Sequence, residues 1–438
     1  MRAGAAKYEG MTDIAQQDAR TSRVLGRLTG IRPRLEALYQ DLHAHPELSF
    51  AETRTAGVVA EELRWLGFEV MTGVGRTGVV GVLANGAGPR VLLRADFDAL
   101  PVRERTGLAY ASTATGTDPD GNEVPVMHAC GHDMHVACLL GALDLLAEAK
   151  ESWTGTVVAV FQPAEELGEG ARAMVDDGLF ARAGTPDVVL GQHVAPVPAG
   201  VIACRPGAAM AAGDALRVRM FGRGAHGSRP EMAIDPVVMA ASTVLRLQTV
   251  VSREVAGGDT AVVTVGAINA GTKDNIIPDE AELKLNIRTF TPEVRSTVLA
   301  AVTRIVNAEA AASGAGREPE ITPIGSFPAL VNDAGAVERT LAAMRAQFGE
   351  QAVIDPGPVT GSEDCGLLAT AAGAPLCYWF FGGVDPAAFE TAERNGTLGR
   401  DVPSNHSPFF APVIDPTLSV GVRAMTVAAL AWLAPAES

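Results

Sequence analysis

Two patterns of apolar and polar positions follow one another along the chain. The first consists of short, nearly continuous apolar runs separated by segments with helical periodicity: GVVGVLA (78–84), RVLLRAD (90–96), GTVVAVFQ (155–162) and PDVVLGQHV (186–194). Strands that are buried on both faces give such runs, because helices cover both sides of a largely parallel sheet. The pattern therefore predicts an α/β domain with a mixed, mostly parallel sheet.

The second pattern runs from about 211 to 325. Here apolar and polar residues alternate in ALRVRMFG, TAVVTVGAI and AELKLNIRTF, with helical segments at 235–251 and 292–311. Alternation is typical of strands with one solvated face. The β-α-β-β-α order predicts a small α+β (ferredoxin-like) domain inserted into the larger one. We therefore expect an N-terminal extension at 1–30, a discontinuous domain at 31–210 and 326–438, and the inserted domain at 211–325.

Helix boundaries follow from local signals. A periodic segment at 31–45 stops before Pro46, as expected ahead of a proline. Ser49 and Glu52 have the spacing of a capping box for a helix that Gly67 ends. The apolar stretch TVAALAWLA after Arg423 is too short to span a bilayer and predicts a buried terminal helix.

Composition excludes several classes of protein. The chain has 438 residues and a formal charge of −16, without a Lys/Arg-rich block, which argues against a nucleic-acid partner. Its five cysteines form no regular framework, which favours a reducing compartment. The first twenty residues lack the apolar core of a secretory signal. We expect a cytoplasmic protein with no membrane partner.

The segment MHACGHDMH (127–135) contains the densest group of metal-binding side chains. Cys130 and His132 stand where a loop enters an apolar helix (137–149), and three of the eight histidines of the chain lie at 128, 132 and 135. Thiolate and imidazole are preferred ligands of zinc-like ions. Packing at a helix start is the alternative interpretation of these small and polar residues.

Other candidate donors follow buried strands. Glu165 and Glu166 end one strand, His193 ends another, and His406 lies in the loop SNHSP. Taken singly, each has a structural or solvated role as the simpler explanation. Together with Cys130 and His132 they offer too many ligands for one tetrahedral ion and suit two ions. Where a strand ends and the backbone turns, one glutamate can bind metal while its neighbour reaches a water.

Several motifs together resemble a known family. HAHPELSF, RADFDALP, MHACGHDMH, FQPAEE, GQHV, GAHGSRP, NIIPDEAELKLNIR and GSED occur in the order seen in the co-catalytic-metal amidohydrolases and peptidases of the aminoacylase/carboxypeptidase superfamily. The chain looks most like the N-acyl-amino-acid amidohydrolase branch, which includes hippurate and indole-acetyl-amino-acid hydrolases. The resemblance implies a zinc-peptidase-like catalytic domain and a lid domain that also forms a homodimer.

The resemblance also implies roles for individual residues. The metal ligands would be Cys130, His132, Glu166, His193 and His406, with either Cys130 or His132 bridging the ions. Glu165 would be the general acid/base and His226, in cis or from the partner subunit, the oxyanion donor. Asp98 would orient a ligand, and Asp96 replaces a histidine of the peptidases. Asn275 and Arg288 are the candidates for binding the substrate carboxylate, and His135 and residues 362–364 either line the site or serve packing and turns.

These residues predict metal-dependent hydrolysis of N-acyl amino acids with acetyl, benzoyl or indole-acetyl groups. Divalent ions lower the pKa of a bound water, and Glu165 would take its proton. We expect two divalent ions, zinc or manganese, with cobalt or nickel as alternatives. A dipeptidase or carboxypeptidase of the same superfamily is the alternative function.

Three other interpretations are less favoured. GRGAHG (222–227) satisfies the dinucleotide-binding pattern, but Pro230 and Pro236 delay the helix that pyrophosphate binding requires. A purely structural metal site leaves Glu165 without a role. A cysteine hydrolase that uses Cys130 leaves Glu166, His193 and His406 without one.

Overall fold

The computed structural model describes residues 19–436 and divides into two compact units. The larger unit comprises the chain up to Gly207 together with Asn332–Gly357 and the chain from Asp364 onward. The smaller unit comprises Ala208–Val331 and Pro358–Glu363. This unit therefore extends a few residues beyond both predicted bounds of the inserted domain, 211 and 325. It also takes up 358–363, because the Ala211 amide donates to carbonyl oxygens of Val359 and Gly361 at 3.0 and 2.9 Å.

Nineteen strands are assigned in the described part of the chain. They are β1 (Glu69–Val74), β2 (Gly78–Asn85), β3 (Arg90–Asp96), β4 (Thr115–Thr117), β5 (Glu123–Pro125), β6 (Trp153–Gln162), β7 (Val188–Pro198), β8 (Ile202–Ala203), β9 (Gly207–Met210), β10 (Ala212–Phe221), β11 (Ala225–His226), β12 (Ala261–Ala270), β13 (Ile276–Ile277), β14 (Glu280–Thr289), β15 (Glu320–Phe327), β16 (Leu330–Asn332), β17 (Val353–Ile354), β18 (Leu376–Val384) and β19 (Ala434–Pro435).

Helices follow a first helical segment at 19–25. They are α1 (Leu28–Ala44), α2 (Thr53–Trp65), α3 (His132–Glu148), α4 (Gly170–Asp176), α5 (Leu179–Ala183), α6 (Pro236–Glu254), α7 (Pro292–Ala312), α8 (Ala334–Phe348), α9 (Gly366–Ala372), α10 (Pro386–Arg394), α11 (Leu398–Asp401) and α12 (Ile414–Trp432). Short 3₁₀ turns lie at Lys150–Ser152, Pro230–Met232 and Glu350–Ala352.

The larger unit is built on a mixed sheet in the order β1-β2-β6-β3-β7-β18-β8-β17. Its centre, β6-β3-β7-β18, is parallel, whereas β1 and β2 add antiparallel pairs at one side. All of β6 except Thr154 is buried, because its valine-rich run is covered on both faces. The apolar runs of the sequence therefore correspond to the central strands, which confirms the predicted α/β class.

The helix after the ligand stretch is longer than predicted. α3 starts at His132, and its first fifteen residues are buried, against α1 on one side and α12 on another. This burial explains why the helix is apolar on every face. Its N-terminus lies at the carboxyl ends of the central strands, where ligands bind in sheets of this kind.

The capping box predicted for Ser49 and Glu52 is wrong. Glu52 is the N-cap of α2, but neither side chain caps the helix. The Ser49 hydroxyl donates instead to Asp98 Oδ2 at 2.7 Å, and the buried Glu52 carboxylate accepts from the Thr77 hydroxyl at 2.6 Å. Hydrogen bonds to residues distant in sequence therefore use both side chains in place of helix capping.

Two further expectations about the chain ends need correction. Val24 and Leu28 lie in the core of the larger unit, so this unit starts before residue 31, and only residues 1–18 of the predicted N-terminal extension lie outside the described part.

The predicted terminal helix is present as α12, but it has 19 residues and is longer than the apolar stretch TVAALAWLA. It is the one described helix that is long and apolar enough to cross a membrane, and 72% of the relevant window is buried inside the protein. Such burial is typical of a core helix.

The smaller unit has a four-stranded antiparallel sheet in the order β12-β14-β10-β15, with α6 and α7 as its helices. The β-α-β-β-α-β succession is that of a ferredoxin-like fold. Its fourth strand, β15, was absent from the sequence prediction. Pro323 and a register shift opposite Ala215 and Leu216 interrupt the strand pattern there, which an edge strand tolerates.

Candidate metal centre

The turn before α3 sets Cys130 and His132 side by side. Gly131 adopts a left-handed conformation with φ 86°, and a Cβ atom there would lie 2.5 Å from Val194 Cγ1. Only glycine therefore fits this turn without a shift. The Nδ1 atom of His132 lies 2.9 Å from the main-chain oxygen of Asp98 and donates to it. This bond fixes the tautomer and directs the Nε2 lone pair toward the site.

The two glutamates leave the sheet through a sharp turn after β6. Ala164 has a left-handed φ of 47°, and its amide donates to Glu52 Oε1 at 2.9 Å. On a regular strand the next two side chains would point to opposite faces. The turn instead allows one ligand atom each of His132, Glu165 and Glu166 to lie within 4.8 Å of one another.

His193 reaches the same place from strand β7. Its Nδ1 atom donates to the carbonyl oxygen of Val194 at 2.7 Å, and its Nε2 atom lies 3.4 Å from Cys130 Sγ. The ligand atoms of Cys130, His132 and His193 lie within 4.8 Å of one another. Strand β7 continues to Pro198, so the expectation that His193 ends the strand was wrong, but the residue still supplies an imidazole lone pair beside the thiol.

His406 approaches from a loop and is the most exposed of the candidate ligands. Its backbone has a left-handed φ of 70°, and its amide donates to the carbonyl oxygen of Ala129 at 2.8 Å. The side chain is 57% exposed, and its Nε2 atom lies 3.4 Å from Glu166 Oε2. The ligand atoms of Cys130, Glu166 and His406 form a further group within 4.8 Å.

These overlapping groups bring together all five of the proposed ligands: Cys130, His132, Glu166, His193 and His406. Two of their buried atoms, His132 Nε2 and Glu166 Oε1, have no hydrogen-bond partner within residues 19–436. Buried polar atoms without partners are rare in folded proteins and indicate a missing ligand or ion. The donor set of thiol, imidazoles and carboxylate suits divalent cations of the zinc and manganese type.

Charge at the centre supports the same conclusion. Burial, with the nearby Glu166 carboxylate, raises the pKa of the Cys130 thiol well above its usual value. Burial also raises the pKa of Glu166 to about 8. Both groups are needed as anions to bind a metal. A divalent cation would stabilise those anions and reverse the effect of burial.

The two aspartates of RADFDALP have different surroundings. Asp98 holds His132 through its main-chain oxygen, and its Oδ2 atom accepts from the Glu166 amide at 3.1 Å and from Ser49. Asp98 is thus placed to orient both a ligand and the glutamate turn. Asp96 is fully buried and paired with Arg94 at 2.6 Å and with His135 at 2.5 Å. The sequence left the role of His135 open, and both of its ring nitrogens have partners.

Sequence reasoning missed two residues that contact this framework, Glu52 and Asn405. Glu52 supports the glutamate turn, and Asn405 contacts the carbonyl oxygens of Cys130 and Val194 at 3.0 and 3.3 Å. Each stands inside or beside a segment already noted for other reasons, HAHPELSFAE and SNHSP. Proximity to those motifs was the one signal available, because their partners are distant in sequence.

The remaining candidates belong to the smaller unit. His226 is exposed on β11, and its Nδ1 atom accepts from the Ser228 amide at 3.1 Å. This leaves Nε2 as the protonated, donating nitrogen. Asn275 lies beside it, since the Gly227 amide donates to the Asn275 carbonyl oxygen at 2.8 Å. The helix after GRGAHG starts at Pro236, away from the glycines, as the sequence predicted.

Arg288 is half-buried on β14 and held on two sides. Its Nε atom donates to Asn286 Oδ1 at 2.9 Å, and its Nη1 atom contacts Ser362 Oγ. Ser362 in turn donates to the carbonyl oxygen of Ala211 at 2.8 Å. The guanidinium group is therefore fixed in orientation, as a carboxylate-binding arginine requires.

A mixed α/β sheet whose strand ends gather thiol, imidazole and carboxylate donors defines a class of metal-dependent hydrolase. The chain belongs to peptidase family M20/M25/M40, whose family model matches residues 92–394.

The chain is similar to a hippurate hydrolase from Campylobacter jejuni, with 37% identity over 348 residues that cover 79% of this chain and 87% of the relative. It is also similar to thermostable carboxypeptidase 1 of Saccharolobus solfataricus, with 37% identity over 394 residues that cover 89% of this chain and 93% of the relative. Among solved structures, a dinuclear metal binding peptidase from Bacillus subtilis superposes with a TM-score of 0.72 at 29% identity and covers 92% of this chain and 98% of its own. Two divalent ions are thus consistent with both the donors and the family.

Metal uptake is predicted to depend steeply on pH. Because the pKa values of Cys130 and Glu166 are raised, both groups hold protons near neutrality and must release them to bind metal. Affinity for Zn²⁺ should therefore fall as the pH is lowered from 8 to 6, by about tenfold per pH unit for each proton released. Calorimetry in two buffers of different ionisation enthalpy measures the protons directly. Glu166→Gln should reduce the slope, and a pH-independent affinity in the unmodified protein would contradict the assignment.

Proposed function

We propose that this protein hydrolyses the amide bond of N-acyl amino acids to give a carboxylic acid and a free amino acid, in a reaction that depends on divalent metal. The observation that carries the proposal is the convergence of Cys130, His132, Glu166 and His193 with Glu165 beside them. The similarity to a hippurate hydrolase supports acylated amino acids as the substrate class, since that relative is named for an N-benzoyl amino acid.

Two divalent ions held by Cys130, His132, Glu166, His193 and His406 would polarise the amide carbonyl and lower the pKa of a water. Glu165 is buried next to Glu166 and has a carboxylate oxygen 3.9 Å from His132 Nε2. In this place it takes the proton of the attacking water and later gives it to the leaving amine. Asp98 orients His132 and the turn that carries both glutamates.

His226 is the proposed donor to the oxyanion that forms as water attacks. Its Nδ1 atom is occupied by Ser228, so that Nε2 carries the hydrogen that an oxyanion accepts. Arg288 and Asn275 are the proposed groups that bind the substrate carboxylate. The fork of Arg288, fixed by Asn286 and Ser362, would pair with a carboxylate in two parallel hydrogen bonds.

The alternative is a carboxypeptidase or dipeptidase that acts on peptides with a free amine, and the similarity to thermostable carboxypeptidase 1 supports it. The pair Cys130 and His132 favours the amidohydrolase branch, because the peptidase branches are expected to have aspartate-type residues in this region. A cysteine hydrolase is disfavoured, since burial raises the pKa of Cys130 and a nucleophilic cysteine needs a lowered one. Zinc or manganese is the proposed metal, with cobalt or nickel as alternatives.

We also propose a homodimer formed through the smaller unit. Strand β12 lies at the edge of its sheet, with Ile268 51% exposed, and helix α6 exposes Val238 and Leu245 at 61% and 73%. Exposed apolar side chains beside an unpaired strand edge are typical of an interface. All five cysteines are buried and none of them forms a disulfide within residues 19–436, which supports a cytoplasmic location. We expect thiol trapping in intact cells to find these five cysteines reduced, as a cytoplasmic location requires.

A substrate panel tests the function. Metal-stripped enzyme would be supplied with single metals and given N-acetyl, N-benzoyl and indole-acetyl amino acids beside free dipeptides. We expect hydrolysis of the acylated amino acids with kcat/KM at least about tenfold above that for dipeptides, since each methylene in an acyl pocket changes binding by about 1–3 kcal/mol. Preference for free dipeptides would favour the carboxypeptidase alternative. Activity that survives complete metal removal would contradict both.

Replacement of Glu165 tests its role as general acid/base. Glu165→Ala should lower kcat by about 10²–10⁴-fold, while metal content and melting temperature stay near those of the unmodified protein. The exposed Glu169, four residues further on, is a matched control, and Glu169→Ala should retain activity. Loss of bound metal in Glu165→Ala with activity retained would overturn the assignment.

Subunit mixing tests whether His226 acts across the dimer. Glu165→Ala and His226→Ala subunits are each expected to be nearly inactive, since loss of one oxyanion donor costs about 10²–10³-fold in kcat. If His226 acts in trans, one of the two sites in each mixed dimer has both residues, and about a quarter of the activity returns after subunit exchange. If mixing restores no activity although mixed dimers form, His226 does not act in trans.

A further inference from the structure

The backbone of Val194 is hydrogen-bonded on both sides of its Cα atom to side chains around the metal centre. Its N–H donates to His135 Nε2 at 2.8 Å. Its carbonyl oxygen accepts from His193 Nδ1 at 2.7 Å and from Asn405 Nδ2 at 3.3 Å. The backbone of this one residue thus connects a proposed ligand to two side chains outside the proposed ligand set.

The tautomer of His135 follows from these bonds. A backbone N–H can only donate, so His135 Nε2 is the accepting nitrogen and Nδ1 carries the hydrogen. Nδ1 lies 2.5 Å from Asp96 Oδ1, and Asp96 is held in turn by Arg94 at 2.6 Å. Arg94, Asp96 and His135 are each no more than 1% exposed. His135 is therefore held through Nδ1 by a buried ion pair and presents the lone pair of Nε2 to the N–H of Val194.

Asn405 extends the same arrangement to two other ligand segments. Its amide group donates to the Cys130 carbonyl oxygen at 3.0 Å as well as to Val194. It is also the neighbour of His406, whose amide donates to Ala129 at 2.8 Å. The segments that carry Cys130, His193 and His406 are therefore joined through one asparagine.

We propose that His135 and Asn405 are positioning residues, which hold the backbone on both sides of Val194 Cα so that the Val194 carbonyl oxygen fixes the tautomer and direction of His193 and the Cys130 and His406 segments stay in register with it. The proposal rests on the metal centre of the proposed function. We call His135, Val194 and Asn405 the Val194 clamp.

The clamp predicts a loss of metal affinity when either side chain is removed. Without His135 the Val194 N–H is buried and unpaired, so the backbone at Val194 can shift and displace the carbonyl oxygen that orients His193. Partners that orient metal ligands typically contribute about 10–100-fold in affinity. A glutamine at 135 has an amide oxygen and nitrogen that can take over both bonds, so His135→Gln should retain more affinity than His135→Phe.

His128 offers a matched control in the same segment. It is 1% exposed, and neither of its ring nitrogens has a hydrogen-bond partner in the part of the chain that the structure describes. His128→Phe therefore makes the same change of residue at the same burial without touching the clamp.

The experiment is a Co²⁺ titration of metal-stripped protein, followed by visible d–d absorption and by the near-ultraviolet band of the cobalt–thiolate bond. We expect His135→Phe and Asn405→Leu each to weaken Co²⁺ binding about 10–100-fold relative to His128→Phe, with altered d–d bands. The double variant should lose less than the sum of the two single losses in free energy, because both side chains act through the backbone of one residue. Melting temperatures of the metal-free proteins check folding, and Asn405→Leu with His135→Gln serves if His135→Phe does not fold.

Equal Co²⁺ affinity in His135→Phe, Asn405→Leu and His128→Phe would overturn the clamp, and so would additive losses in the double variant. These results differ from failure of the proposed function. If the unmodified protein binds no Co²⁺, the metal centre itself is wrong, whereas normal binding there with unaffected variants refutes the clamp alone.

Discussion

Acidic groups buried at the carboxyl ends of the central strands are the constraint on which the larger unit depends. Cys130, Glu165 and Glu166 lie together with aspartates beneath them, in surroundings that raise the pKa values of Cys130 and Glu166. Such groups are costly to bury as anions unless positive charge accompanies them. Arg94 pairs with Asp96 beside the site, and the proposed metal ligands are arranged to bind cations. Arg94 thus neutralises the charge of Asp96, and the proposed metal ions would neutralise the other acidic groups.

The scaffold around these charges explains why their positions can be maintained. β3, β6 and β7 are adjacent parallel strands, so the carboxyl ends of β3 and β6 bring Asp96 and the glutamate turn to one edge, and β7 continues past that edge and brings His193 there. α3 adds Cys130 and His132 from its first turn and is buried along its first fifteen residues. Each imidazole that is a proposed ligand on these elements donates its other nitrogen to a backbone carbonyl. Donors on rigid elements lose little entropy when a cation binds.

The smaller unit contributes a different kind of chemistry. Its groups of interest, His226, Asn275 and Arg288, are hydrogen-bond donors or cations rather than metal ligands. They are fixed locally, His226 by Ser228 and Arg288 by Asn286 and Ser362. The proposed function assigns the metal to the larger unit and the substrate carboxylate to groups of the smaller one, a division that would allow substrate preference to vary without a change in the hydrolytic groups.

The sequence alone determined the α/β class, the inserted α+β unit and the identity of the donors. Apolar runs that end in Glu165, Glu166 or His193 are visible without coordinates, because burial on both faces of a sheet leaves a continuous apolar pattern. The tertiary structure decided what local pattern could not. Ser49 and Glu52 have capping-box spacing, yet contacts with Asp98, Thr77 and Ala164 direct both side chains elsewhere.

Asn405 and His135 carried no local signal for their partners, which lie 39 or more residues away along the chain. The strand β15 escaped prediction because Pro323 breaks its alternation, and pairing with β10 forms it nonetheless. Periodicity records which face of an element is buried, whereas hydrogen bonds between distant segments exist only once the chain has folded. For that reason the proposed ligands could be named from sequence motifs, whereas the groups that hydrogen-bond to them could not.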